Sequence, residues 1–585
     1  MGLRNHYFCA LATIAFHLVI GALSEETETG GQLNNNDTSK KPNIVIILAD
    51  DVGTGDLPFF WGKQSSQKVQ MPNLQKLAQK GVLFKDAHSS PLCAPSRYML
   101  LSGNYPHRGT NAFGSWNVNE GGNQFTANQR SIAETLQIAG YHTGMFGKWH
   151  LGAKVPPSGI KNKDMRYVIT ADGHDWSLPL IEGPGDIGFD ESYITLAGIQ
   201  QTPYSFIRND ILETNLSDVK YWEEGSHQTP LGTSCIKKPG EGDPSWDSSA
   251  YDMILVNETS KFIDTHLASA ESSKPFFAYV ALGAVHIPHS PPNKYLDGSQ
   301  VLNVYETRHL DMLGAMDKAV GSVVSMIEDK DLSKETIIIF TSDNGGLGRS
   351  KEAGHRTSGP LRGTKGNIWE GGHRVPLIIR YDNKFPAGKK RNRFVGLNDI
   401  YSTICELVGV DVPQGSAQDS VSFANYITNW KNKAGLRKYL GTWQLNSNTL
   451  KSNTYWKHAI RKGILKLIHY PHNNTFLAYN MKKDFSETEN VIHKPWVAKR
   501  IQAMYEKLME LGPCNENDRS DSFFVSGLGE DRNCEWFRQN KKNRCAPHFE
   551  GELSCPSICG RFNQKCSENN MYGNWMNLKK VLEDA

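Results

Sequence analysis

Four apolar runs in this chain end in polar or charged residues, and that pattern limits the folds available to it. The runs are 43–51 (NIVIILADD), 141–150 (YHTGMFGKWH), 276–289 (FFAYVALGAVHIPH) and 336–346 (TIIIFTSDNGG); a fifth, 375–381 (VPLIIRY), lacks the polar ending. Several are continuous rather than alternating, as strands buried on both faces should be. Helical patterns separate them, in 71–84 (MPNLQKLAQKGVLF) and 305–329. Strands alternating with helices predict an α/β fold: a large mixed, mainly parallel sheet sandwiched by helices.

A chain of 585 residues is too long for one ordinary domain. Arg4, the apolar stretch 7–22 and the small residues of GALS read as a secretory signal over 1–24, with a polar lead-in over 25–41. An α/β domain is expected over 42–400, with Gly/Pro-rich aromatic loops in 153–250 elaborating one end of the sheet. A smaller α+β C-terminal domain follows over 401–511, including a helix at 495–511, and a cysteine-rich tail covers 512–585. The secretory reading suits four N-x-S/T sequons, at Asn36, Asn215, Asn257 and Asn473, and predicts an extracellular or lysosome-like destination. No later apolar run is long enough for a stable membrane span. The formal charge of +3 argues against nucleic acid or another polyanion as a bulk partner, and leaves only local patches such as Lys389–Arg393 (KKRNR).

Cys9 leaves with the signal, so nine cysteines remain, an odd number for an oxidising compartment. Six lie between 514 and 566, dense enough for a disulfide-stapled module. One of Cys93, Cys235 and Cys405 therefore needs a separate explanation, and the other two are either paired or separately buried.

The strand ends supply it. The first run ends in Asp50 and Asp51, the second in Lys148 and His150, the third in His286, the fourth in Asp343 and Asn344. In open parallel sheets, ligands bind beyond the carboxyl ends of strands, where loops converge. Asp50, Asp51, Asp343 and Asn344 are hard oxygen donors of the kind Ca²⁺ or Mg²⁺ prefers. Arg97, Lys148, Lys365, His150 and His286 add cations and titratable groups, a set suited to a tetrahedral oxyanion, phosphate or sulfate. CAPSRYMLLSG (93–103) reads as a loop opening a helix, whose first amides favour an anion. Cys93 then stands beside the anion as a candidate nucleophile.

These residues also carry a resemblance. CAPSR (93–97) with SGNYPHRG (102–109) is similar to the type I sulfatase signature, and GYHTGMFGKWHLG (140–152) to its second signature. ADDVGTGD (49–56), VHIPHSPP (285–292), TSDNGG (341–346) and GTKGNIWEGGHRVP (363–376) follow the family's order over about residues 42 to 400, with no departure at a motif position.

The resemblance implies a sulfatase in which Cys93 becomes formylglycine, made by a formylglycine-generating enzyme before folding completes. It implies Asp50, Asp51, Asp343, Asn344 and the modified Cys93 as ligands of the ion, usually Ca²⁺ rather than Mg²⁺. It assigns Arg97 and Lys148 to orienting the formylglycine hydroxyls, and Asp343 to assisting deprotonation of the attacking one. Lys365 and His286 would hold sulfate and protonate the leaving alcohol, and His150 would take the proton whose removal expels sulfate. The implied partner is a sulfated small molecule or carbohydrate. Two alternatives are a phosphate or phosphonate ester hydrolase of related fold and a catalytically silent polyanion-binding extracellular protein. The tail's CPSICG and cysteine order resemble ShK-toxin-like six-cysteine modules, with a spacing that departs from their short closing loop.

Overall fold

A computed structural model describes residues 40–65, 68–110, 122–156, 175–348, 354–444, 457–471, 473 and 475–512, with the backbone of 522–525 and 530–533. The signal segment, nearly all of the lead-in, the Asn36 sequon and the six tail cysteines lie outside the described residues.

The core is an eleven-stranded sheet. Its strands are β1 (Asn43–Ala49), β2 (Val82–His88), β3 (His142–Lys148), β4 (Glu191–Thr195), β5 (Ile207–Arg208), β6 (Ile211–Leu212), β7 (Phe276–Ala281), β8 (Thr336–Ser342), β9 (Arg374–Arg380), β10 (Lys389–Arg391) and β11 (Val395–Gly396). They run in the order β10-β2-β9-β8-β1-β7-β3-β4-β5-β6, with β11 also paired to β2. The centre, β8-β1-β7-β3-β4, is parallel. The 375–381 run forms β9, antiparallel to β8 and β2, so the sheet is mixed.

Register positions the site. Ala49 pairs Ser342, Leu48 pairs Ala281, Ala281 pairs Gly147, and Lys148 pairs Thr195. The polar residues that follow β1, β8, β7 and β3 therefore leave the sheet side by side.

The helices are α1 (Pro72–Lys80), α2 (Cys93–Ser102), α3 (Ile132–Ile138), α4 (Tyr251–Ala268), α5 (Arg308–Asp329), α6 (Glu370–His373), α7 (Asp399–Val408), α8 (Ala424–Thr428) and α9 (Pro495–Leu511). Ile44, Ile46 and Leu48 of β1 face a core shared with α2, α3 and α7, while Val45 and Ile47 face one shared with α1, α4 and α5. This alternation, with every β1 side chain buried, is why the sequence of the central strand reads as uniformly apolar.

The sequence pattern predicts that VLF continues the helix, but in the structure these residues open the strand β2. Gly81 ends α1, and a Cβ there would lie 2.6 Å from the Ile379 carbonyl, so the glycine marks a close backbone crossing rather than a helical position.

The C-terminal part carries a four-stranded antiparallel sheet, β12 (Leu440–Gln444), β13 (Lys457–Lys462), β14 (Leu465–Tyr470) and β15 (Thr475–Asn480), with α9 packed on it. Met99 and Tyr105, at the far end of α2, belong to the same apolar cluster. A buried ionic network also ties this sheet to the catalytic core. Lys466 reaches Glu370 (3.2 Å) and Glu487 (2.7 Å), and Arg461 reaches Asp86 (2.9 Å) and Glu370 (3.2 Å). Among the described residues Cys235 and Cys405 are free and separately buried. No helix among them is long and apolar enough to cross a membrane.

Candidate active site

The structure brings all ten candidate residues together. After β1, the Asp50 N–H donates to the Ala284 carbonyl (2.9 Å) and the Asp51 N–H to Asp343 Oδ1 (3.1 Å). Asp51 (φ 66°) and His150 (φ 53°) both adopt the left-handed conformation that non-glycine residues use sparingly, and which collects at functional sites. Gly147 (φ 108°) cannot be replaced freely, since a Cβ would lie 2.0 Å from the Ala281 carbonyl. The helix α2 begins at Cys93, as expected, and has no side-chain cap, so its first amides are left to an outside acceptor. Ser96 is tied locally instead, donating to the carbonyls of Leu92 (2.8 Å) and Ser90 (3.1 Å).

Three carboxylates face three cations. Lys148 Nζ lies 2.6 Å from Asp50 Oδ2, and Lys365 Nζ lies 2.5 Å from Asp51 Oδ1. Arg97 donates to Asp343 Oδ2 through Nη2 (2.7 Å) and Nε (3.1 Å), and through Nη1 to the Lys148 carbonyl (2.8 Å). Only Lys365 (18%) and His286 (12%) show appreciable side-chain exposure. The six formal charges cancel, so accommodating a sulfate or phosphate ester calls for further positive charge.

Burial and these pairs set the protonation states. Burial disfavours ionisation of Asp50, but Lys148 overrides it and holds the carboxyl well below the usual range. Burial and the charge of Asp50 push Asp343 up to about 6. His150 is held well below its ordinary value by burial and by Lys148, and His286 is pushed down to about 4 by burial and Lys365. Both imidazoles are therefore neutral at ordinary pH. Burial raises the Cys93 thiol, with Lys148 opposing, so the unmodified side chain is a thiol and not a nucleophilic thiolate. Its Sγ lies 3.5 Å from His150 Nδ1.

Three buried oxygens, Asp50 Oδ1, Asp51 Oδ2 and Asn344 Oδ1, have no hydrogen-bond partner. Each such atom costs roughly 1–3 kcal/mol if left bare. The Asn344 amide donates to Asp51 Oδ1 (2.8 Å), which turns its own oxygen outward from that bond. Three orphaned hard oxygens in one pocket fit a divalent, oxygen-seeking cation.

A cleft of about 680 Å³ opens beside Lys365, lined also by His289, Glu306, Arg308, His309 and Thr364. His289 lies within VHIPHSPP, three residues after His286, and could have been singled out there. Arg308 and His309, in the first turn of α5, carry no sequence signal of that kind. Behind them Asp56 lies 2.6 Å from His355 and 3.6 Å from His309.

Comparison with known proteins agrees with this fold and site. A family model described as Sulfatase matches residues 42–410, and one described as N-sulphoglucosamine sulphohydrolase, C-terminal, matches residues 364–513. The chain belongs to the sulfatase family and is a sulfuric ester hydrolase. It is 27% identical over 525 residues to an N-acetylgalactosamine-6-O-sulfatase of Bacteroides thetaiotaomicron, covering 82% of this chain and 95% of the relative. Arylsulfatase D of Homo sapiens is 30% identical over 417 residues, covering 65% of this chain and 68% of that protein. A solved sulfatase structure from a Bacteroides thetaiotaomicron locus for glycosaminoglycan metabolism matches with TM-score 0.65 and 26% identity, over 80% of this chain and all of that one.

Proposed function

We propose that the protein hydrolyses sulfate esters of glycosaminoglycan-type carbohydrates, using formylglycine made from Cys93 and a bound Ca²⁺. The observation that carries this is the placement of Cys93. It is buried at the start of α2, beside a neutral histidine and three orphaned oxygens, with its thiol pushed out of the reactive range. Relatives named N-acetylgalactosamine-6-sulfatases, from bacterium and dog, support the sugar class.

Asp50, Asp51, Asp343 and Asn344 would hold the ion with the modified Cys93. When bound, Ca²⁺ supplies two positive charges to the sulfate oxygens and the attacking oxygen. The formylglycine hydrate supplies two hydroxyls on one carbon, one to attack sulfur and one whose deprotonation releases sulfate.

The chain's own residues do the rest. Cys93 Sγ stands where a hydroxyl of the hydrate would be. Arg97 is fixed by Asp343 and the Lys148 carbonyl, and Lys148 by Asp50, so both present positive charge to that position without mobile side chains. Asp343 assists in taking the proton of the attacking hydroxyl. Lys365 and His286 are the partly exposed members and meet the sulfate; an anionic ester bound beside His286 favours its protonated form, from which the departing alcohol takes its proton. His150 is neutral and within reach of the Cys93 position, so it accepts the second proton.

The same reading takes 1–24 as a cleaved signal, 42–400 as the catalytic domain, 401–511 as the smaller domain and 512–585 as a stapled tail. Exposed asparagines at sequons 215, 257 and 473 support passage through the secretory pathway to an extracellular or lysosome-like compartment. Mass spectrometry of the tryptic peptide around Cys93 in secreted protein is the decisive test. The peptide should carry the aldehyde. An alkylatable cysteine in all molecules would defeat the mechanism, and faster turnover of aryl phosphate than aryl sulfate would defeat the substrate assignment.

A further inference from the structure

A second groove, of about 880 Å³, lies away from the active site, between the sheet edge and the C-terminal sheet. Six cations line it, Arg393, Lys433, Arg437, Lys438, Lys462 and Lys507, against one carboxylate, Asp419. Asp419 is already held by Arg108 (2.9 Å from its Oδ1), Arg437 by Asp399 (2.9 Å) and Lys507 by Glu510 (2.5 Å). The remaining four, Arg393, Lys433, Lys438 and Lys462, have no carboxylate partner among the described residues. Four unpaired cations in one concavity exceed the formal charge of the entire chain, +3. The surplus is therefore local rather than a reflection of a basic protein.

The groove is built as well as charged. Tyr439 forms part of its wall, with Lys462 Nζ 4.8 Å from the ring. Arg437 anchors its floor, donating to Tyr105 Oη (3.0 Å), and Tyr105 lies just beyond the C-terminal end of α2. Cys93 begins that helix, and ten residues at 1.5 Å each separate groove and active site by about 15 Å. None of the ten active-site residues lines the groove.

We propose that this groove is an exosite for a sulfated polysaccharide, holding one stretch of a polymer by its sulfate groups. Sulfate esters stay charged at any physiological pH, and a flexible polymer can present several at once. Spaced, unpaired lysines and an arginine suit such a ligand better than a small anion, which would be enclosed by buried donors. The preference for a sulfated glycan over another polyanion rests on the substrate reading above; the cation surplus does not. An exosite raises the local concentration of polymer near the enzyme, so it would lower KM for long substrates and leave small ones unaffected.

The test uses the full-length chain with Cys93→Ala, so binding is read without turnover and without reference to formylglycine. A fluorescent heparin-derived oligosaccharide is titrated by anisotropy at about 0.1 M salt, where surface charges are screened beyond about 10 Å. One variant carries Arg393→Ser, Lys433→Ser, Lys438→Ser and Lys462→Ser. A control removes four exposed lysines elsewhere, Lys63, Lys294, Lys334 and Lys499, also to serine.

The groove variant should bind at least about tenfold more weakly and with a shallower salt dependence, while the control binds within about threefold of the parent. Equal binding by parent and groove variant, or an equal loss in the control, overturns the exosite. Binding of a single-stranded oligonucleotide of matched charge as tightly as the oligosaccharide overturns the sulfated-glycan assignment. With Cys93 retained, the groove substitutions should leave turnover of a small aryl sulfate unchanged. Loss of that turnover in every version of the protein would instead count against the catalytic reading.

Discussion

The chemistry proposed at Cys93 depends on a single side chain in a fixed frame. Arg97, Lys148 and Asp343 are fully buried and bonded to one another, so the frame does not reorganise when the residue at its centre changes. Cys93→Ser therefore tests the identity of the nucleophile and not the fold. Serine can accept sulfate, but its ester lacks the second hydroxyl from which His150 could take a proton. The variant should keep the parental melting temperature, release at most one alcohol per enzyme and show no further turnover. Multiple turnover in a stopped-flow assay would contradict the proposed role. Cys93 and Arg97 stood out through CAPSR at the start of a helix, while Lys148, His150 and Asp343 were visible in the sequence because each stands at the end of an apolar run. His309 and Arg308 were not, because they reach the cleft from a helix far from any strand end.

Two elements hold that frame, and both make measurable predictions. The first turn of α4 supplies Asp252, whose carboxylate accepts from the backbone N–H groups of Gly283 (2.7 Å) and Ala284 (3.1 Å) and so braces the loop leading to His286. Burial pushes its pKa up to about 6. A carboxyl raised above its unfolded value contributes most at acid pH, and that contribution is lost as pH rises from about 4 to 6. The Asn variant lacks this titration. Its stability relative to the parent should therefore climb by on the order of 2 kcal/mol between pH 4 and 7, as urea denaturation at each pH would show. A constant difference across that range would refute the assignment.

The second element is the end of α2. Gly103 (φ 70°) caps the helix in the left-handed conformation, and a Cβ there would lie 2.5 Å from Ala417 Cβ. Gly103→Ala combines a backbone penalty with a clash, and should cost about 2–4 kcal/mol in denaturant melts. That glycine sits in the SGNYPHRG motif, so part of a signature that looks catalytic is packing instead. Sequence reading recovered the long elements here because their periodicity is strong. It missed β2, since a three-residue apolar stretch after a helix carries too little periodicity to separate strand from helix.

For the whole molecule, the proposed function makes stability and activity depend on one divalent ion. An ion that neutralises the excess of orphaned oxygens binds the folded chain and has no comparable site in the unfolded one. At 100 times its dissociation constant it would add about 2.7 kcal/mol. Chelation with EGTA should lower the melting temperature by a few degrees, and Ca²⁺ should restore it; no shift would argue against a resident ion. The main sheet was legible in outline from five runs of sequence. The mixed direction of β9 was not, because a buried edgeward strand and a central parallel one have the same apolar composition. The network of Lys466, Arg461 and Glu370 was equally hidden, since paired buried charges look like surface charges until the fold brings them together.

The position of β1 also sets a clock. This strand is made first, yet its two neighbours in the sheet are β7 and β8, which begin 233 and 293 residues later, at Phe276 and Thr336 against Asn43. At a synthesis rate of about 5–20 residues per second, β1 waits roughly 12 to 60 seconds for its hydrogen-bond partners. Until they arrive, neither face of the sheet can close over the start of α2. A side chain that ends up 5% exposed is thus open to solvent for tens of seconds, an interval set by chain connectivity and independent of any affinity.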